Sequence, residues 1–215
     1  MQSTRTLLQT EKEQKPQEEQ DDLGRKFVLN IDGHLFELYP ALETIPNKWW
    51  LALWEIYETS LNVEDAIQEQ RVYTLQQFFE AMIDRDYMKS LVLQDGCPMG
   101  LMLGTTNLEK MRVNGINPDA LRRRFPEAAA KNRLFYLMVI YFSPELRSLG
   151  FLDRYISLVL WKIESLCDVY ISDVPDSRYF LINFVGSHAQ EAGLPVGPAE
   201  IVGTQSYYAL IRQSS

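Results

Sequence analysis

A chain of 215 residues with 46% hydrophobic residues can bury one packed core, which excludes global disorder. A formal net charge of −8 gains little counterion release from a polyanion, so general nucleic-acid binding is disfavoured. Two cysteines, Cys97 and Cys167, lie outside any Cys-x-x-Cys pair, and with only two histidines they give no zinc-site pattern.

Residues Met1 to about Gly24 are rich in Gln, Glu and Lys. They carry too little apolar surface to offset ordering entropy and read as a flexible acidic tail, 1–24, ahead of one domain, 25–215. This end lacks the apolar core of a secretory signal, and the longest apolar run, Leu134 to Phe142, is too short to cross a bilayer. A soluble, cytoplasmic protein with no membrane association is expected.

Phe27 to Leu38 alternates weakly, with Asp32-Gly33 placed as a hairpin turn near a sheet edge. A helix follows, on which Trp50, Leu53, Trp54, Tyr57 and Leu61 share a face; the spacing suits core better than a binding platform. Thr74 and Gln77 have capping-box spacing for a second helix, with Leu75, Phe78, Phe79 and Met82 as its buried stripe. Ser90 to Thr106 reads as a hairpin about Asp95-Gly96-Cys97-Pro98, with Cys97 incidental to any chemistry. Residues 107–133 read as an insertion in which Asn117-Pro118 starts a short helix that Pro126 ends. The cluster Arg122-Arg123-Arg124 reads as a solvated helix face, or alternatively as a clamp for an anionic ligand or an acidic carrier protein.

Leu134 to Leu166 is an apolar strand, a tight polar connection and an amphipathic helix burying Leu152, Ile156, Val159, Leu160, Ile163 and Leu166. A strand turning directly into a helix aims unpaired N–H groups and a positive dipole end at one point, a natural phosphate seat. Pro144 helps to end the strand, Arg147 offers a fork for phosphate oxygens, and Gly150 permits close approach of a ligand. No Walker lysine and no second glycine are present, so neither nucleotide fingerprint applies. Asp168 to Val174 reads as a strand, and Asp176 to Ala192 as a helix with Leu181, Phe184, Val185, His188 and Ala192 on one face, ended by Gly193. The chain closes on strand material, IVGTQSYYALIRQ. The order implies an α/β (mixed α+β) fold: a central mixed sheet flanked by helices on both faces, the Leu134 strand buried on both sides.

The stretch PELRSLGFL resembles the pyrophosphate loop of GNAT-type N-acyltransferases, R/Q-x-x-G-x-G/A, through Pro144, Glu145, Arg147, Gly150 and Phe151. The element order from about Phe36 to Arg212 is similar too, which implies a GNAT-like three-layer fold. The resemblance implies that acetyl-CoA or another acyl-CoA is the donor. Backbone amides of Arg147, Ser148, Leu149, Gly150, Phe151 and Leu152 would then hold the pyrophosphate. Main-chain groups of Ile140, Tyr141 and Phe142 would pair with the pantetheine arm. It further implies direct acyl transfer to a small-molecule amine, with the oxyanion on a strand N–H. Leu152 and Ser148 depart from the motif's small residues, and Ala189 stands where the family often carries the tyrosine that protonates the leaving thiolate. His188 beside it, Tyr207 and Tyr208 are the catalytic candidates, and alternation lets only one of the two tyrosines face the site. The base stays open among Glu37, Glu55, Glu58 and a water chain. Two alternatives stand beside this reading: transfer of a longer acyl group from acyl carrier protein, and a catalytically silent protein that binds CoA or a partner. Oligomeric state is open, a dimer included.

Overall fold

The computed structural model describes residues 17–61, 73–110, 117–173, 180–191, 193, 196–201 and 207–211. The expected tail before residue 17, the start of the last helix before residue 180, Ala192, and the side chains of Leu61 and Leu181 lie outside the described residues.

Among the described residues, nine strands form one sheet in the order β1-β2-β3-β4-β5-β6-β7-β9-β8. They are β1 Gln17–Asp21, β2 Gly24–Ile31, β3 His34–Leu42, β4 Tyr87–Gln94, β5 Cys97–Thr105, β6 Leu134–Phe142, β7 Val169–Asp173, β8 Glu200–Ile201 and β9 Tyr207–Ile211. All neighbours are antiparallel except β6 and β7, which are parallel. The two expected hairpins form. Asp32-Gly33 and Asp95-Gly96 both adopt positive φ, the geometry of the tight turn that follows strand twist. Cys97 and Pro98 therefore belong to β5 rather than to the turn.

The flexible reading fails for residues 17–24. Strand β1 pairs with β2 from Gln17↔Val28 to Asp21↔Gly24, although all five of its residues are exposed. Its hold is polar. The Lys26 ammonium lies 3.3–3.6 Å from the carboxylates of Glu19, Asp21 and Glu37, and the Tyr39 hydroxyl donates to Asp21 with the Glu37 carboxylate 3.1 Å away. Composition registers missing apolar surface but not ladder hydrogen bonds and charge pairs. The same charges blunt the sheet edge against pairing with other chains.

A single 3-10 turn, Asn47–Trp49, leads into α1 Trp50–Leu61, which packs beside α2 Leu75–Ile83 on one face of the sheet. Trp49, Leu53, Tyr57, Phe78, Ala81 and Met82 are buried there against Tyr39, Leu91, Leu101, Val139 and Tyr141. The tryptophans are thus core and core margin. The capping box at Thr74 and Gln77 is present, but Leu75 is exposed and Ala81 takes its place in the buried stripe. At the other end of this face, α3 Pro118–Arg124 and α4 Pro126–Ala130 cover Leu134, Tyr136, Val169 and Ile171. Arg122 pairs with Glu109 and Asp119, and Arg124 with Glu200, consistent with the solvated-face reading of the arginine cluster.

The opposite face carries α6 Phe151–Leu166 and α7 Phe180–Glu191, reached from β6 through a short helix, α5 Pro144–Ser148. Helices on both faces of a mixed sheet give the expected three layers, and β6 is buried on both sides. Among the described residues, no helix is long and apolar enough to cross a membrane.

Candidate functional site

The site lies where β6 loses its parallel neighbour. Residues Leu134 to Leu137 pair with Val169 to Ser172 of β7; beyond Leu137 no described strand pairs with that edge. On the other side β6 stays paired with β5 up to Gly100↔Phe142. The Ser143 N–H donates to the Met99 carbonyl at 2.7 Å, so strand alternation turns the Tyr141 main chain toward β5 and those of Ile140 and Phe142 toward the open edge. Of the three residues expected along a pantetheine arm, two turn their main chain there, although the Phe142 carbonyl also accepts from the Ser60 hydroxyl at 3.4 Å. Tyr141 does not turn there. Its ring packs under α1, its hydroxyl donates to the Leu53 carbonyl at 2.9 Å, and burial pushes that hydroxyl far above its ordinary pKa.

The β5–β6 register slips between Leu103↔Val139 and Gly104↔Leu137, leaving Met138 as an extra residue. This bulge reverses the side-chain parity. Phe135 and Leu137 face α6, whereas Val139 and Tyr141 face α1. The bulge also bends the strand just where its β7 edge opens.

At the end of β6 the chain does not form the open loop that its residues suggested. Ser143 caps α5, its Oγ accepting the Leu146 N–H at 3.3 Å, and Pro144 takes the first helical position, where no N–H is needed. The Arg147 N–H is bonded to the Ser143 carbonyl and the Leu149 N–H to the Leu146 carbonyl. Those two amides are committed within the protein, which removes them from the expected phosphate row. The Arg147 side chain is exposed on the last turn of α5.

Gly150 then adopts φ 63°, and a Cβ there would meet nothing within 4 Å. It caps α6 and has no side chain to close it, so the first N–H groups of the helix, from Phe151 to Asp153, have no helical acceptor. Phe151 fixes this turn to the sheet. Its fully buried ring lies edge-on to Phe36 and Phe142, with centroids 5.6 and 5.5 Å away. The bulk of Leu152 does not fill the seat, because the side chain packs against the core.

His188 is half-buried on α7. Its Nδ1 lies 3.0 Å from the Phe184 carbonyl and its Nε2 3.4 Å from the Asp153 carboxylate. The histidine therefore stands at the first turn of α6, the turn whose Phe151 ring meets that of Phe142. The bulge at Met138 lies four residues lower, about 13 Å along a strand. Ala189 is buried in the core. Tyr207 and Tyr208 lie on β9, opposite Asp173 and Ser172; their side chains lie outside the described residues. Glu37 is tied up with Lys26 and Tyr39 near the far sheet edge, while Glu55 and Glu58 are exposed on α1. The fold thus gathers Ile140, Phe142, Gly150, Phe151, Leu152 and His188 about one edge. Sequence reasoning missed Asp153 and the Met138 bulge; an acid in the first turn of an uncapped helix was the one available signal.

No family sequence model matches this chain, and no curated protein sequence matches it. Solved structures do. A protein of Acinetobacter baylyi ADP1 described as an acetyltransferase is similar over 82% of this chain and 93% of its own, with 14% identity and a TM-score of 0.51. An N-acyl amino acid synthase from uncultured soil microbes is similar over 82% of this chain and 88% of its own, with 10% identity and a TM-score of 0.50. These likenesses establish the fold: it is that of the GNAT acetyltransferases.

Proposed function

We propose that this protein is an acyl-CoA-dependent N-acyltransferase that transfers its acyl group directly to a small-molecule amine. The observation that carries the reading is the opening of β6 from β7 beside an uncapped, glycine-entered helix. The opening frees main-chain groups for a pantetheine arm, and the helix start frees amides for a pyrophosphate. Of the row implied by the motif, Gly150, Phe151 and Leu152 fit the pyrophosphate, with the Arg147 side chain as a flanking charge and Ser148 and Leu149 shaping the turn. Ile140 and Phe142 fit the arm. Acyl-CoA would supply the acyl group as a reactive thioester.

The chain's part is positioning and charge stabilisation. The Ile140 N–H, two residues above the bulge and turned to the open edge, is placed to donate a hydrogen bond to a carbonyl oxygen that gains negative charge. No carboxylate stands on β6, so the amine's proton leaves through Glu55, Glu58 or water. Tyr207 and Tyr208 remain candidates for the proton given to the departing thiolate, because β9 is two strands from β6 in the sheet order. An amino acid is a fitting acceptor, since one neighbour of this fold makes N-acyl amino acids. The donor could equally be a longer acyl group carried on acyl carrier protein, which a donor panel separates from CoA.

One observation favours a second reading, a silent CoA binder: Ala189 is buried where the family often has its tyrosine, and His188 is engaged with Asp153. Release of free thiol from acetyl-CoA and longer acyl-CoAs, followed over a panel of amines, decides between them. Turnover with any amine supports the enzyme; binding without thiol release supports the binder. Arg147→Glu should weaken acyl-CoA binding roughly tenfold, as a reversed charge at a phosphate would, and leave the melting temperature unchanged. Equal affinity for the variant would remove Arg147 from the site.

A further inference from the structure

The bulge in β6 is forced by clamps on either side of it. Between the pairs Gly100↔Phe142 and Gly104↔Leu137, β5 advances four residues and β6 five. Both ends are held: the Phe142 ring lies on Gly100 and the Phe135 ring on Gly104, where any Cβ would overlap them. One residue from Met138 to Tyr141 must therefore bulge, and the clamps do not decide which. Strand β7 adds no constraint, because its pairing ends at Leu137. A side chain from the helical layer does. The Tyr73 hydroxyl, just ahead of α2, donates to the Met138 sulfur at 3.3 Å. Tyr73 is itself held, 3% exposed, with its N–H donating to the Tyr57 hydroxyl of α1 at 3.0 Å. Burial, with Tyr87, Tyr136 and Tyr57 close by, lifts its pKa well above the ordinary value, so the hydroxyl stays a donor. A thioether only accepts, so Tyr73 gives its hydrogen to the sulfur and leaves the adjacent Tyr87 hydroxyl to donate to the Tyr73 oxygen.

We infer that Tyr73 is a positioning residue: its hydroxyl pins Met138 as the extra residue of β6 and so keeps the Ile140 main chain aimed at the open edge. The inference rests on the acyltransferase reading for what that main chain meets. Met138 is half-buried and packs against the residues beneath α1 and α2 and those beneath α3 and α4, so its side chain is seated on that face. With the bulge at Met138, alternation leaves Val139 and Tyr141 bonded to β5 and Ile140 turned outward. Moved up the strand, the surplus reaches Ile140 and turns its N–H away from the edge. A bulge that wanders would still admit the donor's arm at Phe142. It would present the Ile140 N–H to a charged carbonyl oxygen for less of the time, which slows transfer without weakening the hold on the arm.

The test uses the full-length protein, Tyr73→Phe, Met138→Leu and the double variant. Amide hydrogen exchange at Val139, whose N–H is turned to β5, should quicken about fivefold in Tyr73→Phe without ligand, the size of one hydrogen bond. The kcat for thiol release from acetyl-CoA should fall by a similar factor. The dissociation constant for CoA, which has no acyl carbonyl, should stay as it was. Met138→Leu nearly keeps the volume and removes the acceptor, so it should give the same two effects, and the double variant should lose nothing more. Unchanged exchange in Tyr73→Phe would overturn the inference, and so would losses that add in the double variant. Quickened exchange with unchanged kcat would leave Tyr73 with a structural role only and overturn the positioning one. A fall in CoA affinity as large as that in kcat would mark general damage to the site and overturn it as well. Quickened exchange in a protein that releases no thiol with any amine would sink the acyltransferase reading and leave the pin on Met138 standing.

Discussion

Phe151→Ala is expected to cost about 3–5 kcal/mol of stability, the range for removing a large aromatic side chain from a packed core. The ring is fully buried and touches both layers that define the site. Phe142 ends the open strand and Tyr155 lies one turn along α6, with ring centroids 5.5 and 5.9 Å away, while Phe36 comes from β3. The variant should therefore lose CoA affinity along with stability, whereas Phe151→Leu, which fills most of the volume, should recover the larger part of both. Urea denaturation of the three proteins measures the first effect. A loss below about 1 kcal/mol for Phe151→Ala, well under the core range, would mean that the start of α6 is held by something else.

Lys89→Met should be nearly as damaging, at about 3 kcal/mol. Lys89 is fully buried on β4, and its ammonium donates to the carbonyls of Glu43 and Tyr87 at 2.6 and 3.0 Å and to that of Asp84. These oxygens belong to the chain just after β3, the start of β4 and the cap of α2. Burial works against the charge and lowers the pKa to about 8, so the group is still protonated at neutral pH and offers three N–H bonds to three acceptors. Methionine keeps the length and removes all three charge-assisted bonds, although the Asp84 carbonyl keeps the Tyr87 N–H at 3.2 Å. That remaining bond and relief of the desolvation cost offset part of the loss, which is why the expected value lies below the sum of three lost bonds. A variant as stable as the parent would show that water reaches these carbonyls.

The elements that could be read from the sequence are those whose signals are local. Asp32-Gly33 and Asp95-Gly96 announce their turns because few residue pairs tolerate two positive φ angles. Thr74 with Gln77 and Asn117 with Pro118 announce helix starts through capping chemistry. Gly150 marked the start of α6, but the residues before it fold into α5, because Ser143 and Pro144 together make a helix start as good as a strand end. That choice consumes the Arg147 and Leu149 amides. The Met138 bulge left no trace, since β6 is apolar on both faces and a change of parity exchanges one hydrophobic residue for another. Strand β1 was hidden for the opposite reason: it has no apolar face, and the pairs that hold it, Glu18 with Arg25 and Glu19 and Asp21 with Lys26, carry no hydrophobic periodicity. The place of His188 depended on how α7 crosses α6, which helical periodicity does not encode. The face carrying His188 was readable, whereas its neighbour Asp153 was not.

The claim that the β6 edge and the start of α6 form an acyl-CoA seat is tested most directly by thermal unfolding in the presence of CoA, acetyl-CoA and longer acyl-CoAs. Ligand at 100 times its dissociation constant should add about 2.7 kcal/mol, a readable rise in melting temperature. That rise is expected for CoA and its thioesters, with a smaller rise in Arg147→Glu at the same ligand concentration. No shift with any of these ligands would contradict it.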